Sequence, residues 1–262
     1  RKMKYSAVAY GGGTNSTAML IGFVNRGIKP DLILFADTKG ERPDTYTFIS
    51  IFSKWLTDHD MPEIIFVERG EFTTKVGQVI GNGLEKQCIE QKMLPSLAYG
   101  YRGCSDQYKI RPQHRYISKI EKVQELWKQK KSIVKYIGYD NDEWYRLRTS
   151  NDPKYENKYP LIEWKWGRKE CVKAIEKAGL PQPKKSSCFF CPAMRKSEIL
   201  AMNKIFPDLV QRAIKIEENA ELTSIKGLGR NYSWKELTEA DDAQQSMFDE
   251  SGIELICGCY DG

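Results

Sequence analysis

The chain has 262 residues, 40% of them hydrophobic and 29% charged, with a formal net charge of +6 and only two histidines, His59 and His114. That length allows one α/β domain with an appendage or two small domains, and the apolar fraction suffices for a real core. No run approaches the ~18 apolar residues of a membrane span and no signal-peptide pattern opens the chain, so a cytoplasmic protein without membrane contact is expected.

Residues 5 to 10 read as a short buried strand, after which Gly11 to Gly13 turn the chain. Asn15 or Ser16 is placed to cap a helix whose apolar residues include Met19, Leu20, Phe23 and Val24. Asp31 to Asp37 is a second strand, apolar almost throughout, as suits a parallel sheet covered on both faces. Pro43 stands where a helix can begin, with Tyr46, Ile49, Phe52 and Trp55 on one side. Ile64 to Val67 is a third strand. Farther along, Pro112 to Gln129 reads as one helix, Ile133 to Ile137 as a fourth strand and Tyr159 to Ile162 as a short fifth. The strand–helix alternation predicts an α/β fold, a doubly wound, mostly parallel sheet with ligands at the carboxyl ends of its strands. From about Gly167 the pattern turns helical and loop-like. The expected division is an α/β nucleotide-binding domain over 1–165 and a helical, cysteine-containing C-terminal subdomain over 166–262.

The segment Gly11-Gly12-Gly13-Thr14-Asn15-Ser16-Thr17 carries the chemistry. Three glycines let backbone N–H groups approach an anion with no Cβ in the way, and the following helix adds its positive end. Ser16 and Thr17 add hydroxyl donors. A Walker A loop needs a lysine before Ser/Thr, and none lies between Gly11 and Met19. The dinucleotide fingerprint lacks its third glycine, since Ser16 stands there. Asp37, at the end of an apolar strand, is expected at the ligand edge, on a Mg²⁺ or a ribose, or else as a helix cap. Arg146, after the fourth strand, suits a phosphate by its guanidinium geometry, with a helix-surface ion pair as the alternative. Lys109 and Arg111 can do similar work.

The glycine loop resembles the PP-loop, SGGxDS, of the adenine nucleotide alpha-hydrolase superfamily, a PP-loop/HUP-like fold. The chain resembles its phosphoadenosine phosphosulfate (PAPS) reductase-like branch in particular. Residues 35–45 (FADTKGERPDT) resemble the family's strand-end segment, 104–112 (CSDQYKIRP) its C…K..P segment, and Pro160 to Trp164 its PL..W segment. Residues 187–192 (SCFFCP) resemble the CxxC of some branches. Gly11 replaces the loop's first Ser, Asn15 replaces its Asp, and the C-terminal active-site segment of the sulfonucleotide reductases is not recognisable. The resemblance implies that Gly11, Gly12, Gly13, Thr14, Asn15, Ser16, Thr17, Asp37, Thr38 and Lys109 contact ATP or a sulfonucleotide (PAPS or APS) with Mg²⁺, and that Asp37 and Arg146 serve catalysis.

Seven cysteines without a secretory signal argue for reduced thiols. Cys188 and Cys191 are spaced as half of a zinc or iron–sulfur site, or as a redox dithiol, or are two inert thiols. Cys104, favoured by its family segment, and Cys171, in a helix just upstream, would complete four ligands. The resemblance tips the centre towards [4Fe–4S], with Zn²⁺ as the alternative. Cys257 and Cys259 form a weaker pair, and Cys88 reads as structural. Basic groups at Lys128, Lys130, Lys131 and Lys135, at Lys184, Lys185, Arg195 and Lys196, and at Lys226 to Arg230 beside Tyr232 and Trp234 suit RNA or DNA, or are a solvated face.

The expected function is sulfur transfer or sulfonucleotide chemistry on a nucleotide, with a sulfur-donor protein or a nucleic acid as partner. The alternatives are an ATP pyrophosphatase that adenylates and modifies a nucleobase, and a non-catalytic, zinc-stapled nucleic-acid-binding module.

Overall fold

The structure is a computed structural model that describes residues 4–147, 149, 150 and 152–250, the side chains of 244–250 excepted. The chain divides into two compact units. The first comprises the chain up to Lys86 together with Arg102–Cys188.

Its centre is a five-stranded sheet in the order β3-β2-β1-β6-β7, formed by β1 (Ser6–Tyr10), β2 (Leu32–Asp37), β3 (Ile64–Glu68), β6 (Ile133–Ile137) and β7 (Tyr155–Lys158). Every pairing is parallel, with Ala7 opposite Leu32 on one side and Lys135 on the other. A two-stranded hairpin, β4 (Phe72–Thr73) and β5 (Val79–Ile80), stands apart from it in the pairing order. The doubly wound parallel sheet read from the alternation is thus present.

The alternation of side chains explains the layers. Val8, Tyr10, Ile33 and Phe35 point to one face, where α1 (Thr14–Asn25), α2 (Pro43–Asp58), α7 (Pro160–Glu163) and α8 (Arg168–Lys177) contribute Phe23, Phe52, Leu161 and Ile175. Ala7, Leu34, Ala36 and Ile133 point to the other, which meets Ile117 of α5 (Arg111–Ile117) and Val123 of α6 (Glu121–Lys128). Two apolar faces require nearly continuous apolar strands, which is the pattern that β2 carries. Between β5 and α5 lie α3 (Leu84–Glu90) and the single turn α4 (Gly103–Ser105).

Two local readings need correction. The stretch Pro112 to Gln129 is not one helix: Ile120 is extended (φ −80, ψ 117), and the break lets both α5 and α6 lay an apolar residue on the sheet. The short strand is β7, not Tyr159 to Ile162. Pro160 occupies the first turn of α7, where its missing N–H costs nothing. In β7 only Tyr155 is buried, so this edge strand shows no apolar run.

The second unit comprises Gln87–Tyr101 and the chain from Phe189 onward. It holds α9 (Lys196–Ile205), α10 (Pro207–Asn219) and α11 (Trp234–Glu250), packed through Met202, Val210, Ile214 and Trp234. Buried Glu217 organises it by accepting the backbone N–H groups of Leu228 (2.7 Å), Trp234 (3.0 Å) and Lys235 (3.4 Å). Burial pushes its carboxyl up. A Cβ on Gly227 would strike the Glu217 carboxylate and one on Gly229 the Tyr232 ring. Arg230 donates to the carbonyls of Ala98 and Leu97, at 3.0 and 3.1 Å. Gly227 and Gly229 are thus required by internal packing.

Among the described residues no helix is long and apolar enough to cross a membrane.

Candidate nucleotide-binding site

The chain leaves β1 for β2 on one side and returns from β3 to β6 on the other, so β1 and β6 flank a topological switch point. Ligands of open α/β sheets bind outside the strand ends at such a point. A cavity of about 360 Å³ lies there, lined by Tyr10, Gly11, Phe35, Lys109, Lys135 and Tyr139 among others. A larger cleft of about 530 Å³, lined by Trp55, His59 and Trp166, lies between α1, α2 and α8 and involves none of the glycine-loop residues.

The loop between β1 and α1 is built for backbone donors. Gly12 takes φ +72, a left-handed conformation, and a Cβ there would press on Ile49, Phe35 and Thr45 at 3.4 Å. The residue capping α1 is Gly13, not Asn15 or Ser16, and no side chain caps the helix. The first N–H groups of a helix have no intrahelical acceptor, so this end offers them to an anion along with the helix dipole. The hydroxyls expected to join them are used by the fold itself. Ser16 Oγ accepts from Gly11 N (3.2 Å) and donates to Gly13 O (3.2 Å). Thr17 Oγ1 is buried against Tyr10 Oη at 3.2 Å. Thr14 is also buried.

Asn15 faces acids. Its Nδ2 donates to Asp140 Oδ2 (2.9 Å) and Glu143 Oε2 (3.0 Å), and Arg168 reaches its Oδ1 at 3.4 Å. Burial first, and Glu143 second, push the Asp140 carboxyl up. Arg146 is ion-paired with Glu143 and lies 4.2 Å over the ring of Tyr139, which lines the cavity. Gly138 sits where β6 passes the start of α1: a Cβ there would lie 2.8 Å from Ser16 Cα.

Asp37 and Thr38 lie at the end of β2. Asp37 Oδ1 accepts from Lys39 N and Tyr46 Oη, both at 2.7 Å, and Lys39 Nζ stands 3.4 Å from Oδ2. Thr38 Oγ1 is 3.1 Å from Cys188 Sγ. Glu41 is buried: Lys109 Nζ reaches its Oε1 (3.3 Å), Ser186 Oγ its Oε2 (3.2 Å), and its backbone bridges to Cys188. A charged residue between Gly and Arg-Pro gave no sign of this burial.

Two cavity residues, His114 and Lys135, had no place in the expected site. Lys135 was read as part of a surface cluster, yet it is buried in β6 and 3.2 Å from His114 Nε2. The available signal was a lysine inside the apolar run Ile133-Val134-Lys135-Tyr136-Ile137.

The described cysteines lie in different surroundings. Cys171 is packed in the apolar core with Phe23 and Ile175, and burial pushes its thiol up to about 12. Cys104 is half-buried in α4, Cys188 is buried against Thr38, and Cys191 is half-buried in the second unit. Among the described residues no three His, Cys, Asp or Glu side chains come together to hold a metal ion. Cys257 and Cys259 lie outside the described residues.

No family model matches the chain. An uncharacterized protein of Methanocaldococcus jannaschii, MJ0973, is 21% identical over 243 residues, covering 87% of this chain and 51% of its own length. The chain thus spans about half the length of that curated relative. Among solved structures it is similar to the U34-tRNA thiolase NcsA from Methanococcus maripaludis with its [4Fe-4S] cluster, with TM-score 0.44 and 13% identity over 100% of this chain and 77% of that one. A likeness that slight carries no argument about activity.

Proposed function

We propose that the chain is a PP-loop enzyme, PAPS reductase-like, that binds ATP or a sulfonucleotide and acts in sulfur transfer or sulfonucleotide chemistry. The observation that carries this reading is the uncapped start of α1 behind Gly11 to Gly13, beside a cavity at the switch point of a parallel sheet. In this reading the backbone of Gly11 to Thr17 holds the phosphates. Lys109, on the cavity wall and balanced by Glu41, neutralises charge on them. Asp37 is already offset by Lys39 and suits a ribose hydroxyl better than a Mg²⁺. A bound Mg²⁺ would supply charge neutralisation to the phosphates there. Arg146, steadied by Glu143 and Tyr139, is assigned to the charge that develops on the α-phosphate. With ATP, an acceptor oxygen attacks that phosphorus, the bond to pyrophosphate breaks, and a sulfur or nitrogen nucleophile then displaces the adenylate. Positioning and electrostatic stabilisation supply the rate.

The packed Cys171 favours a second reading, in which the thiols are structural and the chain is an ATP pyrophosphatase acting on a nucleobase. Calorimetry with ATP, APS and PAPS, followed by pyrophosphate release with and without RNA, separates the two. If no nucleotide binds the wild type, or if Gly12→Val binds as the wild type does, the nucleotide reading fails.

A further inference from the structure

The cleft holds one group that nucleotide binding at the loop does not use. Lys135 stands in the middle of β6, is 8% exposed, and reaches the cavity wall. Its ammonium nitrogen lies 3.2 Å from His114 Nε2 on α5. Among the described residues no Asp or Glu is within ion-pair distance of it. Three other charged residues about the cleft have ion partners: Glu41 with Lys109, Arg146 with Glu143, Asp37 with Lys39. A buried ammonium without a counter-ion is costly, and Lys135 is one.

Its neighbours are donors or neutral. Burial, and then the Lys135 charge, pull His114 down to about 4, while Asp106 and Asp152 pull weakly the other way. His114 is therefore neutral near pH 7, and with Nε2 accepting from the lysine its proton belongs on Nδ1. Its ring stacks on Tyr155 with centroids 4.5 Å apart. Gln113, also buried, lines the same wall, and Lys109 stands on it too. This is a set of N–H donors around two ammonium groups, open to a cavity whose lining includes no Asp or Glu.

We propose that Lys135, with His114 and Gln113, forms an oxyanion subsite on the β6 side of the cleft, holding a phosphate or carboxylate distinct from the phosphates cradled by residues 11–17. The inference rests on the nucleotide reading only for the identity of the ligand next door. The anion comes either from the nucleotide, as a second phosphate on its ribose, or from a second substrate.

The test is trace acetylation of the full chain with acetic anhydride at about pH 8, where this amine titrates, scored by peptide mass spectrometry. The probes are inorganic phosphate, formate and adenosine 3′,5′-bisphosphate. At least one is expected to slow acetylation of Lys135 about tenfold while leaving exposed Lys54 unchanged. Calorimetry then separates the sources. If the anion is the nucleotide's, the bisphosphate binds the wild type about tenfold more tightly than AMP does, and Lys135→Met removes that gain. If it is a second substrate's, phosphate or formate still protects Lys135 with AMP bound. Unchanged acetylation under all probes, with AMP binding intact, overturns the subsite and leaves the nucleotide reading standing. Protection by phosphate in a chain that binds no AMP keeps the subsite and removes that reading. Should the amine react too slowly to score, equal affinity of wild type and Lys135→Met for phosphate and bisphosphate overturns the subsite.

Discussion

Asn15 Nδ2 stands 2.9 Å from Asp140 Oδ2, so the first turn of α1 is tied to the chain that leaves β6. The same amide reaches Glu143. An amide here satisfies two acids at once, where a carboxylate would add a third negative charge.

Asn15→Asp is therefore expected to destabilise the fold in a pH-dependent way. The Asp140 carboxyl is already raised above its ordinary 3.8, by burial and then by Glu143. A raised carboxyl favours the folded state below its ordinary pKa and loses that advantage as pH rises through the folded value. The variant should match the wild type near pH 4 and melt lower at pH 7, by a ΔΔG of about 1–3 kcal/mol. Thermal melts across that range read it, and equal midpoints at pH 7 would show that the contact carries no weight.

Gly138→Ala addresses a backbone crossing. The new methyl would sit 2.8 Å from Ser16 Cα and 3.0 Å from Ser16 N, atoms that move only with α1. A loss of about 1–3 kcal/mol in urea denaturation is expected, with weaker nucleotide binding because the loop shifts with the helix.

Lys135→Met should stabilise the protein at neutral pH. Burial lowers the amine from 10.5 to about 8, so below about pH 8 the folded state alone bears a buried ammonium. That cost, on the order of 3 kcal/mol, shrinks as pH rises from 8 and is gone above 10.5. His114 acts in a lower window: depressed from 6.5 to about 4, it lets stability climb as pH rises between those values, and His114→Gln should flatten that climb. Denaturation midpoints against pH check both.

Glu217→Ala leaves the N–H groups of Leu228, Trp234 and Lys235 without their carboxylate. About 2–4 kcal/mol should be lost, with new proteolytic cleavage between Lys226 and Lys235, and Glu217→Gln should restore part of it. Unaltered cleavage would mean that water replaces the carboxylate there.

Cys171→Ala tests the metal question directly. If the Cys171 thiol, packed with Phe23 and Ile175, serves the core alone, iron and zinc contents after anaerobic purification should match the wild type. A loss of metal in this variant alone would return Cys171 to the ligand set.

The sheet was legible because β2 and the glycine loop carry strong, local signals: an apolar run bounded by Asp37, and three glycines before a helix. β7 was not, since an edge strand of Tyr-Glu-Asn-Lys buries one residue in four and looks like a turn. In the site, the backbone donors of Gly11 to Gly13 followed from glycine chemistry, whereas the side chains of Ser16 and Thr17 turned inward to partners that sequence spacing cannot reveal. Glu41, His114 and Lys135 escaped for one reason: their meaning lies in partners or cavity walls far along the chain. A thiol of Cys171's spacing can ligate a metal or fill a core, and spacing carries no sign of the packing found around α8.

Thr38 meets a residue 150 positions later in sequence, Cys188, and Glu41 meets Ser186 at a separation of 145. Protein synthesis is vectorial, so a growing chain possesses all five strands and the whole glycine loop well before it can finish the rim at Glu41. Contacts of such separation form late because closing long loops costs entropy before any contact rewards it. A ribosome-stalled product that stops before Ser186 is expected to have its sheet in place and a carboxylate at Glu41 that has lost one donor and its backbone bridge. The rim is thus a checkpoint on completeness, tying the ligand edge to the arrival of residues encoded far downstream.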